Sequence, residues 1–136
     1  MPEGNFVEEG LRLRALEDAT IANLIAARWY GPDLPLGTAL PAVTVQQISG
    51  RAEESHQGHS GIENAIYQIT CWGSCHLDVL RLADRVQKRF DKWRGTLPNG
   101  IQVGYMSRLD RHYAKEPGQN VYQIVLDFRC MYHAEA

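Results

Sequence analysis

The segment from Ile62 to Phe90 constrains the fold most strongly, because a strand pattern is followed in it directly by a helix pattern. Up to Trp72, side chains of one parity are apolar and those of the other are mixed, which is the period of a strand with one buried face. Gly73 and Ser74 interrupt that strand, and serine commonly caps a helix N-terminus. The segment therefore predicts a strand, then a helix that begins at Ser74. The residues of the buried strand face are Ala65, Tyr67, Ile69 and Cys71.

The helix pattern is amphipathic, since apolar residues recur at three- and four-residue spacing with charged residues between them. Gly95 is well placed to end the helix. Intrahelical ion pairs on a solvated surface explain the charged side, and a subunit contact is the alternative. The apolar stripe comprises Val79, Ala83, Val86, Phe90 and Trp93. The charged side comprises Arg81, Arg85, Lys88, Arg89 and Lys92, with Asp78, Asp84 and Asp91 among them.

The remaining patterns are a helical start and three further strands. Residues 6–27 have helical spacing with a break near Asp18, so they form one bent helix or a helical pair. Strand patterns lie around Val43 and Val45, from Ile101 to Met106, and from Tyr122 to Tyr132. We therefore expect an α+β fold within a single domain, residues 1–136. Its core is a single antiparallel or mixed sheet of about four strands with helices packed on one face.

Three segments are predicted to be connections. Tyr30–Pro41 contains too many prolines for a helix or a central strand, and its leucines should pack on the core. Ser49–Gly61 is polar and far longer than a tight hairpin requires, so we expect a mobile loop that contacts a partner. The third predicted connection is Asp110–Asn120. The candidate partner-contact residues of the long loop are Arg51, Glu53, Glu54, His56 and His59.

The second face of the predicted sheet is more apolar than a lone sheet usually presents to water. A neighbouring subunit is the first candidate to cover it, and the proline-rich connection is the alternative. The residues assigned to this subunit interface are Ile66, Trp72, Val121, Val125 and Met131.

Composition excludes several classes of protein. The chain has 136 residues and a net charge of -2, which argues against a dedicated nucleic-acid binder. No apolar run approaches the roughly 20 residues of a membrane-spanning helix. The start of the sequence lacks the features of a signal peptide, so we expect synthesis to finish in the cytoplasm. Cys71, Cys75 and Cys130 cannot all pair within one chain, and free buried thiols are expected.

Candidate chemistry is weak throughout the sequence. His56 and His59 lie beside two glutamates, but a mobile loop makes a poor metal site. The spacing of Cys71 and Cys75 is not that of a zinc knuckle, although Cys130 and two histidines could complete a cluster. There is no nucleophile elbow and no phosphate-binding loop. We expect no catalytic residues, metal or cofactor. The histidines of that possible cluster are His76 and His133.

The run Tyr67–Trp72, with the small and apolar helix residues after it, resembles the tail-terminator (tail-completion) proteins of long-tailed phages. The proline- and glycine-rich connection that ends at Pro41 and the strand Tyr122–Tyr132 fit the same family. The helix residues are Leu77, Leu80, Ala83 and Val86. The other matching positions are Arg28, Tyr30, Pro35 and Gly37 in the first part, and Asp127, Phe128 and Arg129 in the last strand.

The resemblance implies a structural virion protein made in the host cytoplasm and located at the head-tail junction. It implies a homo-oligomeric ring, a hexamer, that caps the tail tube, terminates its polymerisation and provides the head-attachment surface. The implied partners are further copies of the chain, the tail tube protein and a head-side connector protein, with DNA passing through without specific binding. Two alternatives stay open: a small Cys/His metal-dependent enzyme and a non-viral oligomeric binding module.

Overall fold

The computed structural model describes residues 6–55, 58–115 and 121–133, which form three helices and one six-stranded sheet. The sheet order is β1-β2-β3-β6-β5-β4, with β1 and β2 parallel and the other neighbours antiparallel. An α+β fold with a single mixed sheet is therefore confirmed. The elements are α1 (Val7–Leu16), α2 (Ala19–Ile25), β1 (Trp29–Tyr30), β2 (Ala42–Ser55), β3 (Gly58–Gly73), α3 (His76–Phe90), β4 (Trp93–Thr96), β5 (Gln102–Lys115) and β6 (Tyr122–His133).

The sheet has six strands, not about four, because two short edge strands escaped prediction. β1 has 2 residues and β4 has 4. Segments this short show no period of their own, and only their pairing with β2 and β5 makes them strands.

The core lies between the helices and one sheet face. The predicted buried face of β3 is confirmed, and the alternating residues of β6 from Ile124 to Cys130 are buried with it. Phe90 of α3 packs against both Trp29 and Phe128, with ring centroids 6.3 and 6.1 Å apart. Buried residues of all three helices belong to the same cluster as this sheet face.

Helix α3 begins and ends at different residues from those predicted. Cys75, not Ser74, is the N-cap residue, and its side chain makes no capping hydrogen bond. The helix ends at Phe90, and Lys92 adopts a positive φ of 56° that redirects the chain. Trp93 and Gly95 therefore belong to β4 and do not extend the helix.

The break near Asp18 separates two helices, which settles the choice left open by the sequence. The Asp18 carboxylate accepts hydrogen bonds from the backbone N–H groups of Thr20 and Ile21, at 2.9 and 3.2 Å. This is a helix N-cap, and it satisfies amides at the start of α2 that have no partner within the helix.

The two polar segments predicted as loops are largely strand. β2 and β3 pair as far as Ser55 and Gly58, so most of Ser49–Gly61 is a long hairpin arm. β5 likewise runs to Lys115 and pairs with β6 as far as Tyr122. Backbone pairing between neighbouring strands outweighed the polar composition. His56 and residues 116–120 lie outside the described residues.

A bulge reverses the predicted parity of β5. The pairing with β6 shifts between Val103 and Tyr105, so the side chain of Met106 is buried and that of Tyr105 is exposed. One extra residue in a strand moves every later side chain to the opposite face. The proline-rich connection also differs from expectation, because the side chain of Leu36 is fully exposed and does not pack on the core.

Candidate assembly surface

The second sheet face carries the residues predicted to form a subunit interface. Ile66, Trp72, Val121 and Met131 are half-buried on this face in the single chain. Val125 retains only 7% exposure, and it lies between Thr70 of β3 and His112 of β5 in the sheet. The apolar surface available to a partner therefore comes from the other four residues.

Cross-strand hydrogen bonds organise the polar side chains of this face. Trp72 Nε1 donates to Thr44 Oγ1 at 3.0 Å, which links β3 to β2. Gln68 Nε2 donates to Asp127 Oδ1 at 3.2 Å, which links β3 to β6. These polar groups hydrogen-bond to one another, and apolar residues lie between them. The hydrogen bonds hold the side chains of this face in place before any partner binds.

The predicted partner-contact residues lie along the hairpin arm and not in an open loop. Arg51, Glu53 and Glu54 are in β2, and His59 is in β3 opposite Glu54. Within the described residues, β6 pairs with β3 only from Gly73 to Ile62, so the outer end of the arm extends past the rest of the sheet. It is therefore a two-stranded projection that begins beside the second sheet face.

The described cysteine and histidine residues of the possible zinc cluster are not brought together. Cys71 and Cys130 are buried in the core, and burial raises the pKa of each thiol to about 12. Cys75 is exposed, and His76 and His133 lie at opposite ends of the sheet. Among the described residues, no group of three or more His, Cys, Asp or Glu side chains is placed to hold a metal ion.

The charged side of α3 contacts the helical pair as well as itself. Lys88 and Asp84 form the expected intrahelical pair, with Nζ and Oδ2 3.3 Å apart. Arg85 pairs instead with Asp18 at 3.0 Å, and Arg89 with Glu17 at 3.3 Å. Part of the basic surface is thus a contact within the chain, which the sequence analysis did not anticipate.

Two grooves lie at opposite edges of the sheet, and the sequence analysis identified neither. The first, with a volume of about 430 Å³, lies between α3 and β5, and in it His76 meets the Tyr113 ring edge-on at 5.3 Å. Its lining residues are His76, Leu80, Arg108, Arg111, His112, Tyr113 and Ile124. The second, of about 480 Å³, lies between α1 and the edge formed by β1 and β2. Its lining residues are Phe6, Glu8, Glu9, Arg12, Trp29, Tyr30, Gly31 and Val45.

One mixed sheet with helices on a single face defines an α+β protein. The sequence matches the family model described as Tail completion protein gp17 over residues 9–133. The chain therefore belongs to the tail-completion protein family, as its sequence predicted, and it is a protein of the virion tail. No curated protein matches the sequence.

The fold also has a counterpart among solved structures. A chain in the structure titled "Virion of native gene transfer agent (GTA) particle" is similar with a TM-score of 0.69 and 14% sequence identity. The alignment covers 94% of this chain and 95% of that chain, so the whole fold is shared. In the part of the chain that the structure describes, no helix is both long and apolar enough to cross a membrane.

Proposed function

We propose that this tail-completion protein assembles as a homo-oligomeric ring, a hexamer, on the end of the tail tube. The ring terminates polymerisation of the tube and provides the surface to which the head attaches. Its partners are the tail tube protein, a head-side connector protein and further copies of the chain. DNA passes through it without specific binding, which a chain with a net charge of -2 favours because it does not attract phosphates strongly.

The second sheet face is the observation that carries this proposal. Ile66, Trp72, Val121 and Met131 leave part of their apolar surface exposed beside hydrogen bonds that fix the face. Apolar surface of this kind is typical of interaction sites. We infer that this face, including Val125 at its centre, lies at or near a subunit contact of the ring.

The hairpin arm is the second surface that supports the proposal. It includes Arg51, Glu53, Glu54 and His59. Among the described residues, its outer end around Glu54 and His59 projects beyond the part of β3 that pairs with β6. We infer that these residues, with His56, contact the tube or the head-side protein.

Purified chain added to polymerising tail tube protein tests the function directly. The tubes should stop growing at a stoichiometry of one ring per tube end, and electron microscopy should show a ring at that end. Tubes that grow to the same length with and without the chain would contradict the proposal. Zinc bound by the purified chain, with a hydrolytic activity that depends on it, would favour the enzyme alternative.

A further inference from the structure

Two strands leave part of their outer edge without a partner strand. β4 pairs with β5 only as far as Met106, and the Asp91 carboxylate accepts the Arg108 N–H at 2.8 Å. β1 pairs with β2 only at Val43 and Thr44. Within the described residues, no strand lies on the outer side of Leu109–Ala114, called here the β5 edge, or of Val45–Gly50, called the β2 edge. Such edges present backbone donors and acceptors to another strand.

Each edge also exposes an aliphatic side chain at a bulge. The pairing register shifts between Gln47 and Ser49, where Ile48 is the extra residue, and between Arg108 and Asp110, where Leu109 is the extra residue. Ile48 is 44% exposed and Leu109 is 45% exposed. Edges that remain in solvent are commonly protected by charged residues such as lysine, by proline or by β-bulges that twist the edge away. Both edges have such a bulge, but the residue that each bulge exposes is aliphatic. Isoleucine and leucine at these positions instead suit edges that become buried.

The grooves beside the two edges differ in charge. The groove at the β5 edge contains Arg108 and Arg111. The groove at the β2 edge contains Glu8, Glu9 and Arg12, and although Arg12 pairs with Glu9, acidic side chains remain in excess there. Two β5 edges brought together would place arginines opposite arginines, whereas a β5 edge against a β2 edge would bring opposite charges together. The charges therefore favour a contact between unlike edges of two copies.

We propose that the β5 edge of one copy pairs with the β2 edge of the next, so that the sheet continues from subunit to subunit around the ring. The inference rests on the proposed ring and specifies how its copies join. A contact between two different surfaces of the same chain is head-to-tail, and it forms a ring when the rotation closes. Strand addition supplies backbone hydrogen bonds, and the bulge residues Ile48 and Leu109 are buried at the joint.

Glutamate substitutions at the two bulges test the joint. Leu109→Glu and Ile48→Glu should each abolish the ring at concentrations where the unaltered chain assembles, as measured by light scattering. Leu36→Glu is the matched control, since Leu36 is fully exposed and lies outside both edges, and it should assemble normally. Circular dichroism should show the same fold in all three variants.

Mixing the two edge variants distinguishes a head-to-tail contact from a symmetric one. Ile48→Glu keeps an intact β5 edge and Leu109→Glu keeps an intact β2 edge, so an equimolar mixture should form a heterodimer and nothing larger. Rings that persist in both variants, or a mixture that remains monomeric, would overturn this inference and leave the ring itself standing. An unaltered chain that stays monomeric at high concentration and on tube ends would overturn the ring instead.

Cross-linking keeps the test decisive if a glutamate variant fails to fold. Ile48→Cys and Leu109→Cys would be combined with Cys75→Ser, which removes the exposed native thiol, while Cys71 and Cys130 are buried. A flexible bismaleimide should then produce a ladder of covalent oligomers. Each single-cysteine variant should give dimers at most, and the absence of a longer ladder in the double variant would refute the joint.

Discussion

Arg14 of α1 and Arg89 of α3 each donate a hydrogen bond to the backbone carbonyl of the other. Arg14 Nη2 lies 2.9 Å from the Arg89 oxygen, and Arg89 Nε lies 3.0 Å from the Arg14 oxygen. Burial, and then the charge of Arg89, lower the pKa of Arg14 to about 10. The Arg14 guanidinium also stacks 3.8 Å from the centroid of the Trp93 ring. One side chain thus joins the first helix, α3 and the edge strand β4.

Replacing Arg14 should therefore destabilise the fold more than its half-exposed position suggests. Arg14→Ala removes the donor from the Arg89 carbonyl and uncovers Trp93, so the free energy of unfolding should fall by about 1–3 kcal/mol. Arg14→Lys should recover little of the lost stability, because lysine lacks the planar guanidinium that can donate hydrogen bonds and stack on an aromatic ring at the same time. Arg12→Ala, which breaks only the exposed pair with Glu9, is the control and should cost less than about 1 kcal/mol. Equal losses at both positions in urea unfolding would contradict the assignment.

Truncating a buried side chain on the core face of β6 should destabilise the fold strongly. Leu126 and Phe128 have no exposed surface, so Leu126→Ala and Phe128→Ala should each cost about 2–5 kcal/mol by leaving a cavity. Arg129→Ala, on the exposed position next to Phe128, provides the comparison and should change stability by less than about 0.5 kcal/mol. Denaturant unfolding measures all three.

Stability should fall as the solution becomes alkaline. Burial raises the pKa of the Cys71 and Cys130 thiols from 9.0 to about 12, and it also raises the pKa of Tyr67. Between these values the unfolded chain has released protons that the folded chain keeps, so the free energy of unfolding is highest below about pH 9 and declines above it. A Cys71→Ala/Cys130→Ala variant will be less stable at neutral pH, but its decline between about pH 8 and about pH 10.5 should be shallower. Parallel declines would show that other groups dominate.

Substitutions on the second sheet face should distinguish effects on assembly from effects on folding. Ile66→Asp places a carboxylate on a half-buried apolar site, so it should weaken the oligomer and leave circular dichroism unchanged. Val125→Asp should instead unfold the chain in part, because at 7% exposure the carboxylate would lose most of its hydration. Light scattering paired with thermal melts measures both effects. An Ile66→Asp chain that assembles normally would place the subunit contact elsewhere.

Shortening the hairpin arm should affect function more than stability. Replacing residues 51–60 with a short Gly-Ser turn removes mainly the outer end of the hairpin, where Glu54 pairs with His59 and Ser55 with Gly58. Within the described residues, this end lies beyond the last pair of β3 with β6, at Ile62. An isolated two-stranded arm contributes little to stability, so the melting temperature should change by no more than about 2 °C. In a complementation assay the shortened chain should yield tails that lack heads or have uncontrolled lengths. Normal infectious particles would reduce the arm to a passive connection.

Sequence alone determined the elements whose period is long and uninterrupted. The apolar faces of β3 and β6 and the stripe of α3 could be read directly, because each strand or helix repeats its pattern over several turns or pairs. The resemblance that rests on those segments identified the family correctly.

Tertiary structure decided the features that depend on a neighbouring strand. β1 and β4 exist only through pairing, Gly104 moves Met106 into the core through a bulge, and the arm continues β2 and β3 through polar sequence. The exposure of Ile48 and Leu109 at open edges depends on which strands pair, and the hydrogen bonds between Arg14 and Arg89 link residues far apart in the chain. Local periodicity records which side of its own element a residue faces. It does not show the strand register, the positions of bulges or which edge lacks a partner strand, because backbone hydrogen bonds between distant segments determine these features.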